Sequence, residues 1–300
     1  MGCTLCPRHC GADRTLRRGF CGVDEKILVS RVMLHKWEEP CISGTRGSGA
    51  VFFCGCPLKC VFCQNGDISR GKGGVFAGQR EISEAELTEV FLALQGNGAH
   101  NINLVSPTQY TDAIIRAVAR AREMGLDIPI VWNTGGYEST ENIKRLRGTV
   151  DVFLTDMKYF STHLSHELSH AADYFSVSMA SLREMIRVAP SPVYGEDGML
   201  KSGVIVRHLI LPGQREDSAA ILRALSAEGL QKGILLSLMS QYTPDFFTGC
   251  ADVVLDKKMH RRVTTFEYNY VRDLALELGF DGFGQDKSSA DSAYTPEWGF

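Results

Sequence analysis

Three closely spaced cysteines directly after an apolar run constrain this chain more than any other feature. Residues 50–53 are Ala-Val-Phe-Phe, and Cys56, Cys60 and Cys63 follow with the spacing Cys-x3-Cys-x2-Cys. The apolar run predicts a buried strand that leads into a cysteine loop. Three thiolates in a tight loop suit three corners of a [4Fe–4S] cubane, because soft sulfur ligands bind iron–sulfur clusters. The fourth iron then has no cysteine and is open to a small molecule.

Zinc is the alternative occupant of these three cysteines. Structural zinc sites more often use paired Cys-x2-Cys or Cys/His knuckles that fill all four positions of the ion. A Cys-x3-Cys-x2-Cys triple after a strand fits that pattern poorly, so the spacing favours the iron–sulfur cluster.

Length and composition fit a single large α/β unit with a small appendage. A chain of 300 residues that is 44% hydrophobic can bury the core of an α/β barrel. The net charge of −3 comes from both signs mixed along the chain, so we expect neither a nucleic-acid nor a membrane partner. No export signal or long apolar run is evident, so we expect a cytoplasmic protein.

A second group of cysteines lies near the start of the chain. We interpret residues 1–48 as a small Cys-rich module, with Cys3, Cys6, Cys10 and Cys21 as its metal ligands. The module has too few apolar residues for a core of its own, so a metal held by four thiolates is expected to staple it. The spacing leaves zinc and a second iron–sulfur cluster open, with no bound metal as a further alternative. No role is assigned to the remaining cysteines, Cys41, Cys54 and Cys250.

Strand-like and helix-like segments alternate from residue 49 onward. This alternation predicts βα units around a parallel sheet, and the count of six strands predicts a partial (βα)6 TIM-like barrel over residues 49–285. Ser83 and Glu86 are expected to form a capping box at the start of one helix. Residues 286–300 are interpreted as a C-terminal tail.

Polar residues follow the strands of this predicted barrel. Barrel enzymes place their active-site residues on the loops at the carboxyl ends of the strands. The candidates at these positions are Ser106, Thr108, Asn133, Thr134, Asp156, Lys158, Arg207 and Gln241. Glu38 and Glu39, in contrast, are expected to be solvated surface carboxylates, with a place at the substrate mouth for one of them as the alternative.

The cysteine loop also carries a family resemblance. Gly55-Cys56-Pro57-Leu58-Lys59-Cys60-Val61-Phe62-Cys63-Gln64-Asn65, with its aromatic residue before the last cysteine, resembles the radical S-adenosylmethionine (SAM) superfamily. Within that superfamily it resembles the pyruvate formate-lyase activating enzyme-like proteins, and residues 3–22 resemble the N-terminal segment of the same proteins. The resemblance implies that the three cysteines hold a [4Fe–4S] cluster and that Phe62 and the polar candidates bind SAM.

The resemblance also assigns particular contacts to this cofactor. Asn133 and Thr134 match a polar pair expected to touch the ribose. Lys158 and Arg207 match residues expected to meet the methionine carboxylate, although Asp156 and Lys158 also suit an ion pair that fixes their loop. The superfamily's Gly-Gly-Glu is replaced by Ser-Pro-Thr at residues 106–108, so Ser106 or Thr108 is expected to replace its contact.

The implied activity is reductive cleavage of SAM to a 5′-deoxyadenosyl radical that abstracts a hydrogen atom. In the resembling proteins the hydrogen comes from a glycine of a partner glycyl radical enzyme. The alternatives are radical modification of another peptide or small molecule and, from a different class, a non-catalytic iron–sulfur electron carrier. The implied partners are a protein or peptide substrate and a flavodoxin- or ferredoxin-type reductant.

Overall fold

One ten-stranded sheet organises the protein, whose computed structural model describes residues 2–285. Its strands are β1 (Ile27–His35), β2 (Ser48–Phe53), β3 (Arg80–Ile82), β4 (Ile102–Val105), β5 (Ile130–Thr134), β6 (Val152–Asp156), β7 (Val193–Tyr194), β8 (Leu200–Leu209), β9 (Leu235–Met239) and β10 (Gly282–Gly284). Across the sheet the order is β10-β9-β8-β6-β5-β4-β2-β1-β3, and β7 pairs with β8 alone.

Helices connect the central strands. They are α1 (Pro40–Ser43), α2 (Gly66–Ser69), α3 (Glu84–Gly96), α4 (Thr111–Glu123), α5 (Thr140–Arg145), α6 (Thr162–Ser169), α7 (Tyr174–Val188), α8 (Arg215–Ala227), α9 (Val253–Met259) and α10 (Thr265–Glu277). No helix in residues 2–285 is both long enough and apolar enough to cross a bilayer.

The six strands β2, β4, β5, β6, β8 and β9 run parallel to one another. At least one helix separates each from the next along the chain, so the predicted partial (βα)6 barrel is confirmed. β10 adds a further parallel strand beside β9, whereas β1 and β3 extend the opposite edge in antiparallel orientation.

Alternate residues of these strands face the barrel interior and the outer helices. The inner cluster contains Cys41, Ile42, Val131, Val152, Leu154, Leu200, Ile205 and Leu235. The large outer core takes the intervening residues, among them Trp132, Phe153, Val204, Val206 and Leu236. Because side chains of a strand point to opposite faces in turn, neighbours in sequence have different surroundings.

The start of α3 follows the predicted capping box. Ser83 Oγ accepts from the Glu86 N–H group at 3.2 Å, and Glu86 Oε2 accepts from the Ser83 N–H group at 2.8 Å. This reciprocal pair satisfies two N–H groups that the first turn of a helix leaves without partners. The prediction for these two residues is confirmed.

Residues 36–47, which we call the floor segment, close the amino-terminal end of the barrel. β1 pairs with β2 so that His35 lies opposite Ser48, which places the connecting floor segment where β2 begins. Its helix α1 inserts Cys41 and Ile42 into the inner cluster. Asn101, just ahead of β4, donates to the Ile42 carbonyl at 2.7 Å and thereby ties the floor segment to the barrel.

The first 48 residues contribute to the same sheet as the barrel. β1 is hydrogen-bonded to both β2 and β3, whereas residues 2–26 form turns without a helix or a strand. The predicted division at residue 48 stays a prediction, and the loop-rich part ends where β1 begins. The tail predicted for residues 286–300 lies outside the described residues.

Candidate active site

Cys56, Cys60 and Cys63 lie in the loop that follows β2, at the carboxyl end of the barrel strands. The Leu58 N–H group donates to Cys56 Sγ at 3.4 Å, and Ser169 Oγ donates to Cys60 Sγ at 2.9 Å. The buried Ser69 hydroxyl faces Cys63 and has no other hydrogen-bond partner among residues 2–285. Each sulfur therefore has a donor suited to a thiolate.

Cys56 and Cys63 are costly to ionise without a cation. Burial raises the pKa of Cys56 to about 12, and it also raises the pKa of Cys63. The negative charge of a neighbouring Cys60 thiolate acts on both in the same direction, because the sulfurs lie close together. A metal centre removes this penalty, since bound metal ions deprotonate coordinating thiols.

The segment after β4 fixes the backbone of the cysteine loop. Gln109 Nε2 donates to the carbonyls of Cys54 and Gly55, at 3.0 Å each. It also donates to the Ser106 carbonyl at 2.8 Å, and Ser106 turns the chain with a φ of 57°. A positive φ is unfavourable for a residue other than glycine, so Ser106 contributes a strained turn beside the site.

A cavity of about 190 Å³ opens beside the cysteines. It is lined by Cys60, Phe62, Cys63, Gln64, Asn65, Asp156, Lys158, Arg207, Leu209, Met239, Gln241, Tyr242 and Thr243. Five of the predicted cofactor-binding residues, Phe62, Asp156, Lys158, Arg207 and Gln241, therefore meet two of the cysteines in one cavity. The carboxyl ends of β6, β8 and β9 supply most of the polar wall.

Asp156 joins two cations in the wall of this cavity. Its carboxylate lies 2.5 Å from Lys158 Nζ and 3.0 Å from Arg207 Nε. Burial opposes ionisation of this carboxyl, but Lys158 and Arg207 together hold the pKa of Asp156 below its usual range. Arg207 also donates to Asn133 Oδ1 at 2.6 Å. Asn133 thus supports Arg207 from β5 without lining the cavity itself.

Glu38 and Glu39 lie inside the barrel, so the expectation that they are solvated surface carboxylates is wrong. Glu38 accepts from Arg207 Nη1 at 3.2 Å and from Asn103 Nδ2 at 2.9 Å, and Glu39 is only 8% exposed. Burial raises the pKa of Glu39, and Arg207 opposes this effect only in part. The floor segment carries both residues into the barrel, where they stand beneath Arg207.

Thr108 and Thr134 point away from the cavity, which corrects their predicted contact with the cofactor. Their hydroxyl groups both donate to Glu138 Oε1, at 2.5 Å and 2.6 Å. Thr134 follows Asn133 on β5, and adjacent residues of a strand face opposite sides. Asn133 faces inward to Arg207, so Thr134 faces outward to the buried Glu138.

Cys3, Cys6, Cys10 and Cys21 come near one another in the turns ahead of β1. Each of Cys6, Cys10 and Cys21 interacts with Cys3, and Cys21 interacts with Cys10 as well. Within residues 2–285, no three His, Cys, Asp or Glu side chains enclose a single metal ion, and this holds for Cys56, Cys60 and Cys63 as well as for the N-terminal group. The metal of this group, zinc or an iron–sulfur cluster, stays a prediction.

Comparisons with known proteins show which family the chain resembles. The sequence model of the radical SAM superfamily matches residues 50–225, more than half of the chain. An uncharacterized protein of Methanocaldococcus jannaschii, MJ0674, is 29% identical over 283 residues, which cover 93% of this chain and 75% of that protein.

Two solved structures are also similar. A radical SAM methyltransferase from Sphaerobacter thermophilus has a TM-score of 0.51 at 16% identity, over 79% of this chain and 66% of that one. The chain thus spans just under two thirds of that methyltransferase, and the likeness shows the shared fold. HydG, the FeFe-hydrogenase maturase from Carboxydothermus hydrogenoformans, has a TM-score of 0.45 at 13% identity, over 81% of this chain and 58% of that one.

The matched superfamily implies a [4Fe–4S] cluster and SAM, and the residues present fit both groups. One buried and two half-buried thiols, each with a hydrogen-bond donor, suit three iron atoms of a cubane, and the Ser69 hydroxyl beside Cys63 has no other partner among the described residues. Lys158 and Arg207 suit the carboxylate of SAM in the adjoining cavity. The family match, the parallel barrel and the cysteine loop together show that this chain belongs to the radical SAM superfamily.

Proposed function

We propose that this radical SAM enzyme activates a glycyl radical enzyme by removing a hydrogen atom from a glycine of that partner. When bound and reduced, the cluster and SAM supply a 5′-deoxyadenosyl radical for this abstraction. The observation that carries the proposal is the cysteine loop over residues 55–65, which resembles the pyruvate formate-lyase activating enzyme-like proteins and borders the charged cavity.

The charged wall of the cavity orients the cofactor in this proposal. Lys158 and Arg207 bind the carboxylate of SAM, which gains two cations in place of water. Asp156 lies between them and keeps both side chains at a fixed position. Asn133 and Glu38 hold Arg207 from the barrel side, so the guanidinium is oriented before the cofactor binds.

Hydrogen bonds hold the loop after β9 against the cysteine segment. The Thr248 N–H group and hydroxyl both donate to the Val61 carbonyl at 3.0 Å. Gln64 Nε2 donates to the Gln241 carbonyl at 3.4 Å on the same side. These bonds hold the loop across the cysteine segment, which helps keep water from a reactive radical. A flavodoxin- or ferredoxin-type protein is the proposed source of the electron.

The first experiment measures 5′-deoxyadenosine formed by anaerobically reconstituted enzyme with SAM and dithionite. Cys60→Ala is expected to abolish the product. Lys158→Met is expected to weaken SAM binding roughly ten- to a hundredfold, the effect of losing a charged hydrogen bond. Lys144→Met is the matched control, because Lys144 pairs with Glu141 on the exposed face of α5. A cluster signal that ignores SAM would support the electron carrier instead.

The second experiment tests the glycine substrate. A glycyl radical enzyme from the same organism, labelled with deuterium at glycine α-carbons, is incubated with the active enzyme. The proposal predicts deuterium in 5′-deoxyadenosine and an organic radical on the partner by electron paramagnetic resonance. Unlabelled 5′-deoxyadenosine without that radical would refute activation of this partner and favour radical modification of another peptide or a small molecule.

A further inference from the structure

We propose that Cys3, Cys6, Cys10 and Cys21 bind a second metal centre as four thiolates, and that this centre is fastened to the loop of the radical cluster. A zinc ion and an iron–sulfur cluster are the two candidate occupants, and thiolate sulfur binds both. The proposal goes beyond the glycine-activating reaction and does not depend on the identity of the substrate.

The sulfurs of this group have the local backbone geometry of the cluster cysteines. In each of three cysteines the N–H group two residues further on faces the sulfur. The pairs are Cys6 with Arg8, Cys10 with Ala12, and Cys21 with Val23. Cys56 makes the same turn with the Leu58 N–H group in the radical-cluster loop. Such N–H groups stabilise a negatively charged sulfur.

Gly19 leaves a space between two of the sulfurs. A Cβ atom at Gly19 would lie 3.4 Å from both Cys10 Sγ and Cys21 Sγ. The Gly19 N–H group donates to the Val23 carbonyl at 2.9 Å, which holds the backbone beside this space. A side chain at residue 19 would occupy the room between the two sulfurs, whereas glycine keeps it open.

The turn around Cys21 packs directly on the radical-cluster loop. The Cys56 N–H group donates to the Cys21 carbonyl at 3.2 Å. Gly55 has a φ of 84°, and a Cβ atom there would lie 2.8 Å from both the Cys21 carbonyl oxygen and Val23 Cγ1. The two loops are therefore as close as glycine permits, and neighbouring ligands of the two centres share a hydrogen bond.

Arg8 makes a second connection from between Cys6 and Cys10. Its Nε donates to the Pro57 carbonyl at 2.8 Å, and its Nη2 donates to the Ser169 carbonyl at 2.8 Å. Pro57 follows the first cluster cysteine, and Ser169 donates to Cys60 Sγ. A metal that fixes Cys6 and Cys10 thus also fixes the arginine that spans the radical-cluster loop and the end of α6.

The test starts from the full chain carrying Cys56→Ala, Cys60→Ala and Cys63→Ala, which removes the radical-cluster ligands. This variant is isolated anaerobically and reconstituted either with iron and sulfide or with zinc, and its metal and sulfide contents are measured. One bound zinc per chain identifies a zinc site, and iron with matching sulfide identifies a cluster. Absence of stoichiometric metal under both conditions, in protein with native circular dichroism, overturns the proposal.

Further variants locate the metal and test its connection to the radical cluster. Adding Cys6→Ala and Cys10→Ala is expected to remove the metal, whereas adding Cys250→Ala, a partly buried cysteine far along the chain, is the control that keeps it.

With Cys56, Cys60 and Cys63 intact, Arg8→Ala is expected to shift the midpoint potential of the radical cluster, whereas the exposed Arg17→Ala does not. Metal retained without Cys6 and Cys10 contradicts their assignment as ligands. A midpoint potential unchanged by Arg8→Ala contradicts the connection between the two centres. None of these measurements uses SAM cleavage, so a failure here is distinct from a failure of the proposed function.

Discussion

Ser169 is the side chain that most directly touches a cluster cysteine. Its hydroxyl donates to Cys60 Sγ at 2.9 Å and lies 2.6 Å from the Tyr159 hydroxyl. Hydrogen bonds to cysteine sulfur stabilise the reduced, more negative cluster. Ser169→Ala is therefore expected to lower the midpoint potential by tens of millivolts, on a scale where about 59 mV is tenfold for one electron.

The measurement is a redox titration of the reconstituted enzyme followed by electron paramagnetic resonance. Ser165→Ala is the matched control, since Ser165 lies on the same helix and its hydroxyl donates only to the Thr162 carbonyl. Equal potentials for the two variants would mean that the Ser169 contact does not tune the cluster.

The buried carboxyl group of Glu138 should make the stability of the protein depend on pH. Its Oε1 accepts from Thr108 and Thr134, whereas Oε2 is buried without a partner among the described residues. Burial raises the pKa of this carboxyl above its ordinary value of 4.5.

The direction of the pH effect on stability follows from how tightly the folded and the unfolded states bind this proton. The folded protein binds this proton more tightly than the unfolded chain, so its stabilising effect is complete below the unfolded pKa and is lost as pH rises toward the folded pKa. The limiting slope is about 1.4 kcal/mol per pH unit. Relative to Glu138→Gln, the wild type should lose thermal stability as the pH rises above the ordinary carboxyl pKa of 4.5. Glu141→Gln, on the exposed side of α5, should give no such trend.

Sequence reasoning predicted which residues lie together where that depends on local order. The spacing of the three cysteines is a local pattern, and Asp156, Lys158, Arg207 and Gln241 line one cavity with two of the cysteines because strand ends converge in a parallel barrel. Ser169 was missed because it lies 109 positions from Cys60, and nothing in its neighbourhood indicates a sulfur partner. Thr134 was assigned to the wrong face because one residue of register decides between barrel interior and outer core.

At the scale of elements, the floor segment places the Glu38 carboxylate against the active site from the amino-terminal end of the barrel. Glu38 accepts from both Arg207 and Asn103, so Glu38→Gln removes the charge and keeps the shape of the side chain. The expected loss is about 1.5–3 kcal/mol in the free energy of unfolding, the contribution of a hydrogen bond between charged groups. Urea denaturation at pH 7 measures it.

Glu25→Gln is the control for this substitution, because Glu25 is exposed in the turns ahead of β1. If both variants lose equally little stability, the pairing of Glu38 with Arg207 does not contribute to the fold. The sequence did not indicate this burial, because Lys36 and the 63% exposed Trp37 beside it are typical of a surface loop.

The elements of the barrel were more predictable than its edges. Apolar strands in alternation with amphipathic helices predicted all six parallel strands, and the Ser83 capping box marked the start of α3 correctly. β1 was not anticipated, because residues 1–48 were interpreted as a metal-stapled module. An antiparallel edge strand depends on a partner elsewhere in the chain, so local composition identifies it poorly.

For the whole molecule, the proposed SAM site connects parts of the chain that are far apart in sequence. It joins the loop after β2 to the ends of β6, β8 and β9. Binding at a hundred times the dissociation constant stabilises the folded state by about 2.7 kcal/mol. In a chain of this size we expect a rise in melting temperature of roughly 5 °C.

The rise in melting temperature on SAM binding should require the cluster as well as the cavity. Scanning calorimetry of the reconstituted enzyme should show it with SAM, and Cys60→Ala should show a much smaller effect. An equal rise in the absence of the cluster would mean that the cavity alone holds SAM.

The floor segment also has a kinetic consequence. Because α1 fills the amino-terminal end of the barrel, the cavity opens at the opposite end, where the cysteine loop lies. A substrate that enters after SAM then lies between the cofactor and the exit. Turnover should follow a last-in, first-out sequence, in which the modified substrate departs before methionine and 5′-deoxyadenosine are exchanged for fresh cofactor.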